Sequence, residues 1–139
     1  MQDEKIHIYF VPGLAANPSI FDLITLPNNH FEPHYLEWLV PESDHESIED
    51  YANRMCDHVQ HANCILIGVS FGGVMVQEMK KILNPLKTII ISSIKNKHEM
   101  PMRMLFAQKT ANYLTFCFSL SNHLGKLSQA SPSPSPSRR

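Results

Sequence analysis

A chain of 139 residues, 43% of them apolar, holds enough material for one domain with a buried core and too little for two. Its formal charge of −1 excludes both the basic footprint of a nucleic-acid or anionic-lipid binder and an acidic bias toward a basic partner. Three cysteines, Cys56, Cys64 and Cys117, are odd in number and far apart, which argues against a disulfide framework and leads to the expectation of a reducing, cytoplasmic setting. No secretory signal is expected from the opening residues, and no apolar run approaches the about 20 residues of a membrane span.

Ile6 to Val11 is a β-branched and aromatic run closed by Pro12-Gly13, the pattern of a strand entering a turn. Asn17-Pro18 offers a helix N-cap followed by proline at the first helical position, with Ile20, Phe21 and Ile24 as an apolar stripe up to Pro27. A second strand is predicted over His34 to Val40. Ser43 and Glu46 have the spacing of a capping box, and Ile48, Tyr51, Ala52, Met55 and Val59 follow at helical intervals. Cys64 to Val69 is a nearly continuous apolar run, as in a strand buried on both faces of a parallel sheet. Val74, Met75, Met79 and Ile82 mark a helix that Asn84-Pro85 ends, and Thr88 to Ser92 is a fourth strand.

Strand and helix thus alternate, which predicts an α/β fold of about four parallel strands joined by right-handed crossovers and flanked by helices. The expected organisation is a core over residues 1–94, a helical cap-like segment over 95–125, and a disordered Ser/Pro-rich tail over 126–139.

One motif carries chemistry. Gly68-Val69-Ser70-Phe71-Gly72 fits G-x-S-x-G between a buried strand and a helix, a context that pushes a serine out above the sheet. The helix that starts there aims amide groups and the positive end of its dipole at charge developing during acyl transfer. Val11-Pro12-Gly13-Leu14 ends a strand that topology puts beside this turn in a 2-1-3-4 order, so the Leu14 amide joins that of Phe71 as an oxyanion donor. No Lys-Ser or Lys-Thr follows the glycines, which disfavours a nucleotide loop.

From the Pro12-Gly13-Leu14 turn through the Gly68 to Gly72 elbow to the Ile89-Ile90-Ile91-Ser92-Ser93 strand, the chain resembles the N-terminal part of the α/β-hydrolase superfamily, although that family more often has His before the first glycine. The resemblance implies a serine hydrolase acting on an ester, thioester or related acyl bond, with a small acyl substrate and neither a metal nor an organic cofactor. Ser70 matches the nucleophile, the amides of Phe71 and Leu14 the oxyanion hole, and Gly68 and Gly72 the elbow glycines.

The rest of the family's triad, an acid and then a histidine after later strands, is not identifiable. Downstream of Ser70 stand only the carboxylates Glu78 and Glu99 and the histidines His98 and His123. Glu78 lies two turns into the elbow helix, and adjacent His98 and Glu99 are awkward for an acid that must orient the far side of the ring. His123 serves as base only if its segment folds back over the site. The expectation is a truncated or altered C-terminal part, from near Leu120.

Upstream, His58, His61 and Cys64 have a ligand-like spacing but read as a solvated helix end and a strand start, and His30 and His34 read as surface or loop. Met100, Met102, Met104, Leu105 and Phe106 suit either a lipophilic pocket or core. Three functions stay open: an acyl hydrolase, a non-catalytic hydrolase-fold fragment or interaction module, and a small flavodoxin-like binding domain. An unguarded Thr88 to Ser92 strand would also promote self-association through an exposed sheet edge.

Overall fold

The computed structural model describes residues 5–14 and 16–99, so the segment from Met100 through the Ser/Pro-rich tail lies outside the described residues. The elements run β1 (Ile6–Val11), a 3-10 turn (Pro18–Phe21), β2 (Phe31–Tyr35), α1 (Ile48–Cys56), β3 (Cys64–Val69), α2 (Phe71–Leu83), β4 (Lys87–Ile91) and a second 3-10 turn (Lys97–Glu99). All strand pairs are parallel, in the order β2-β1-β3-β4. This is an α/β architecture, with the order expected from the alternating pattern.

The chain steps from β1 to β2 in one direction and from β2 through β3 to β4 in the other. With crossovers of one hand, reversing direction moves the connection to the opposite face of the sheet. That accounts for the core. On one face α1 and α2 bury Tyr51, Ala52, Met55, Met75, Val76 and Met79 against Tyr9, Val11 and Leu66. Among the described residues, the other face is covered by the 3-10 turn, through Phe21 against Ile8 and Phe10, and by Leu26 in the loop after it. The expectation that β3 is buried on both faces is corrected: Cys64, Leu66 and Gly68 are buried, while Ile65, Ile67 and Val69 on the second face are half-buried. Ile89 and Ile91, on the same side of β4, are 37% and 41% exposed.

Three local boundaries also differ from expectation. The Asn17 side chain does accept from the Ser19 amide, at 2.9 Å, but the helix it starts ends after one turn, leaving Ile20 and Ile24 exposed and only Phe21 buried. β2 begins at Phe31, not His34, and stops at Tyr35, because β1 turns away at Pro12-Gly13 and offers nothing further to pair with. Pro33 is tolerated since β2 is an edge strand. The N-cap of α1 is Ser47, whose hydroxyl accepts from the Asp50 amide at 3.0 Å and donates to the Asp50 carboxylate at 2.7 Å. Ser43 instead holds a turn, and Glu46 is taken by Arg54 in a bidentate pair of 2.7 and 2.8 Å that holds the Glu46 carboxyl below its ordinary range.

β4 pairs with β3 alone among the described residues. β4 runs from Lys87 to Ile91 and not from Thr88 to Ser92, so its outer edge carries one charge, at Lys87, and no proline, and the segment from Met100 lies outside the described residues.

Candidate functional site

The chain switches direction between β1 and β3, and in open parallel sheets ligands gather at the carboxyl ends of the strands at such a switch. Two loops meet there. Val11 pairs with Gly68, so Pro12-Gly13-Leu14 leaves the sheet beside Val69-Ser70-Phe71. A β-carbon on Gly13 would stand 3.5 Å from Cβ of Ser70, which measures how closely the two turns approach.

Ser70 ends β3 and caps α2 with φ 53° and ψ −120°, a backbone region that only glycine enters at small cost. Its amide donates to the Ile91 carbonyl at 2.9 Å and its carbonyl accepts from the Gly73 amide at 2.9 Å, so both sides of the kink are pinned. The residue is exposed, its side chain makes no cap hydrogen bond, and no described side chain bonds to its hydroxyl. The turn is this tight because Gly68 and Gly72 let backbones touch. A β-carbon at Gly68 would come within 2.6 Å of the Gly73 nitrogen, and one at Gly72 within 2.9 Å of the Val11 carbonyl carbon, with carbonyl oxygens closer still in both cases.

Strain of this kind costs about 1–3 kcal/mol for a residue with a side chain. Ser70→Gly should therefore raise stability by about 1 kcal/mol, after allowance for the freer unfolded chain, while Ser70→Ala should leave it nearly unchanged. Urea unfolding of the two variants side by side decides this, and a glycine variant no more stable than the alanine one would show that the turn stores no strain.

Trp38, which the sequence did not single out, ties the site together. Its Nε1–H donates to the Gly13 carbonyl at 3.1 Å, and its ring packs against Phe71 at 5.6 Å. Gln77 holds the loop after β4, donating to the Gly73 and Ile94 carbonyls at 2.9 Å each. A lone indole and a glutamine carry no motif, so neither role could be read before the fold was known. Leu14 is half-buried against the α-helical core and Phe71 is buried as the first residue of α2.

No family model matches the chain, and no curated protein or solved structure matches it.

None of the remaining sequence candidates bonds to Ser70 among the described residues. Glu78 pairs with Lys81 on α2. Glu99 accepts from the Lys95 amide and the Asn96 side chain, and His98 is exposed. His123 and the Met100 to Phe106 group lie outside the described residues. Burial pushes the Cys56 thiol up to about 11 and raises that of Cys64, so neither is a thiolate near neutral pH. His58, His61 and Cys64 form no cluster, and Cys64 starts β3 as expected, but the reading of His58 and His61 as a solvated helix end is corrected: α1 stops at Cys56, and His61 lies half-buried in the following loop, stacked on His7. His34, however, is not a loop residue: it sits half-buried on β2 and meets His7 and His61 in the amino-terminal half of the sheet, away from Ser70. Burial first, then the neighbouring His7 and His61, hold His34 below the ordinary imidazole range.

Proposed function

We propose that Ser70 is the nucleophile of an acyl hydrolase of the α/β-hydrolase type, acting on an ester, thioester or related acyl bond. The observation that carries this is the strained, exposed Ser70 between β3 and α2 at the topological switch point, against the Gly13 turn. Strain kept at a residue that packs nothing is accounted for by chemistry better than by folding.

In this reading the Ser70 hydroxyl attacks the acyl carbon, its proton passes to a general base, and the alcohol or thiol leaves to give an acyl-serine that water then cleaves. The oxyanion formed in each half-reaction accepts from the amides of Phe71 and Leu14, with the α2 dipole adding to their effect. None of the described residues supplies the base or the acid behind it. That same observation favours a second reading, a non-catalytic module that keeps the elbow without turnover.

A fluorophosphonate probe separates the two on the full chain. The hydrolase reading expects a covalent adduct on Ser70, located by peptide mass spectrometry and lost in Ser70→Ala. Absence of an adduct across the neutral and alkaline range would replace it with the module.

A further inference from the structure

We propose that His7, His34 and His61 form a binding site for one divalent transition-metal ion of the zinc class, built at the opposite end of the sheet from Ser70. Their ligand atoms all lie within 4.8 Å of one another, although they come from β1, β2 and the loop before β3. His7 Nδ1 and His34 Nε2 face each other at 2.8 Å. Two imidazole nitrogens at that distance share a single proton between two lone pairs, and a cation that replaces the proton binds both.

The third ligand is already oriented. Tyr9 Oη accepts from the Gln60 amide at 3.1 Å and lies 2.7 Å from His61 Nδ1, which leaves Nε2 as the nitrogen for a metal. A hydrogen-bonded partner on the far nitrogen is the usual outer support of a metal-binding histidine. Tyr9 also stacks on His34, with ring centroids 4.6 Å apart, so one buried side chain braces two of the three ligands.

Tetrahedral coordination at 2.0–2.1 Å sets ligand nitrogens about 3.3 Å apart. The His7–His34 gap must then open by about half an ångström, and His61 must tilt out of its parallel stack on His7, where the centroids are 3.4 Å apart, because parallel rings aim their lone pairs in separate planes. All three side chains are half-buried, which leaves room for such ring rotations. An open depression of about 440 Å³, lined by Lys5, His7, Gln60 and His61 among others, gives a hydrated ion access and leaves a fourth position for water. A donor set of three imidazoles suits zinc, nickel or copper and disfavours calcium and magnesium, which take oxygen ligands. Binding would clamp three chain segments together at the end of the sheet remote from the serine.

The experiment uses the full chain, stripped with a chelator and titrated with Zn2+ in reducing buffer. One equivalent is expected to bind at micromolar or lower concentration, to raise the melting temperature, and to be indifferent to excess Mg2+. His7→Ala, His34→Ala and His61→Ala should each weaken binding by more than tenfold, and Tyr9→Phe by about tenfold. His30→Ala and His58→Ala should not change it. Because a ligand variant can lose its fold, the wild-type chain is also followed by imidazole nitrogen resonances, and Zn2+ should move those of three of the eight histidines. No saturable binding, binding equally sensitive to His58→Ala, or resonance shifts confined to the other histidines would overturn the site.

Discussion

The 139-residue chain is expected to turn over a p-nitrophenyl ester at well below about 1 per second. Ser70 is exposed and strained, yet its hydroxyl donates to no histidine among the described residues, and Glu78 and Glu99 are engaged by other partners. A serine hydroxyl without a base is a weak nucleophile at neutral pH, and removing the base from a serine triad costs about a million-fold in turnover. Binding and oxyanion donors alone leave about 10³–10⁴ over water. Because that remnant needs neither base nor nucleophile, Ser70→Ala should leave it nearly unchanged. Turnover of about 1 per second or faster that vanishes in Ser70→Ala would mean that a base reaches the serine from outside the described residues. His123 is then the first residue to substitute.

Gly72→Ala and Gly68→Ala should each destabilise the fold by about 3 kcal/mol or more, a large share of the about 5–15 kcal/mol that holds a domain together. Neither glycine has a positive φ, so conformational freedom is not the reason for them. The reason is proximity. At Gly72 the new methyl would run into the carbonyls of Val11 and Pro12, and at Gly68 into the Gly72 carbonyl and the Gly73 amide. These are backbone atoms of β1, its turn and α2, and no rotamer change moves them. Relief requires α2 to rise from the sheet, which would also open the contacts of Met75, Val76 and Met79 with Val11 and Leu66. Gly13→Ala is the control: its methyl would meet Cβ of Ser70 at 3.5 Å, an ordinary contact, and should change stability by less than about 1 kcal/mol. Urea midpoints at constant slope measure all three, and a Gly72→Ala chain within about 1 kcal/mol of wild type would refute the close approach.

The two expectations are linked through the same few residues. The small side chains that let β3, β1 and α2 come together are also what leaves Ser70 nowhere to go but outward. Stability of the turn and exposure of the hydroxyl therefore arise from one packing arrangement, and the Ser70→Gly comparison separates the strain of the backbone from the chemistry of the side chain.

What the amino-acid sequence determined by itself is the part of this protein governed by neighbouring residues. The apolar runs Ile6 to Val11 and Cys64 to Val69, the amphipathic stretch after Gly72 and its stop at Asn84 were legible because periodicity and turn chemistry act within a few residues. Asn84 indeed ends α2 in a left-handed conformation. The G-x-S-x-G spacing placed Ser70 at the strand-to-helix turn for the same reason. Tertiary structure decided the rest, because it depends on which distant segments become neighbours. Ser47 caps α1 where Ser43 has the same chemistry, since Arg54 draws Glu46 away. β2 starts at Phe31 because β1 offers its edge there, and among the described residues both long helices pack on one face of the sheet because they follow the same direction of crossover, while Ile65 and Ile67 on the other face are half-buried. The histidine cluster is the clearest case. In the sequence His7 reads as part of a strand, His61 groups with His58 and Cys64, and His34 with His30; only the parallel register that sets Tyr9 opposite His34 and His7 opposite Cys64 draws the three within reach of one ion.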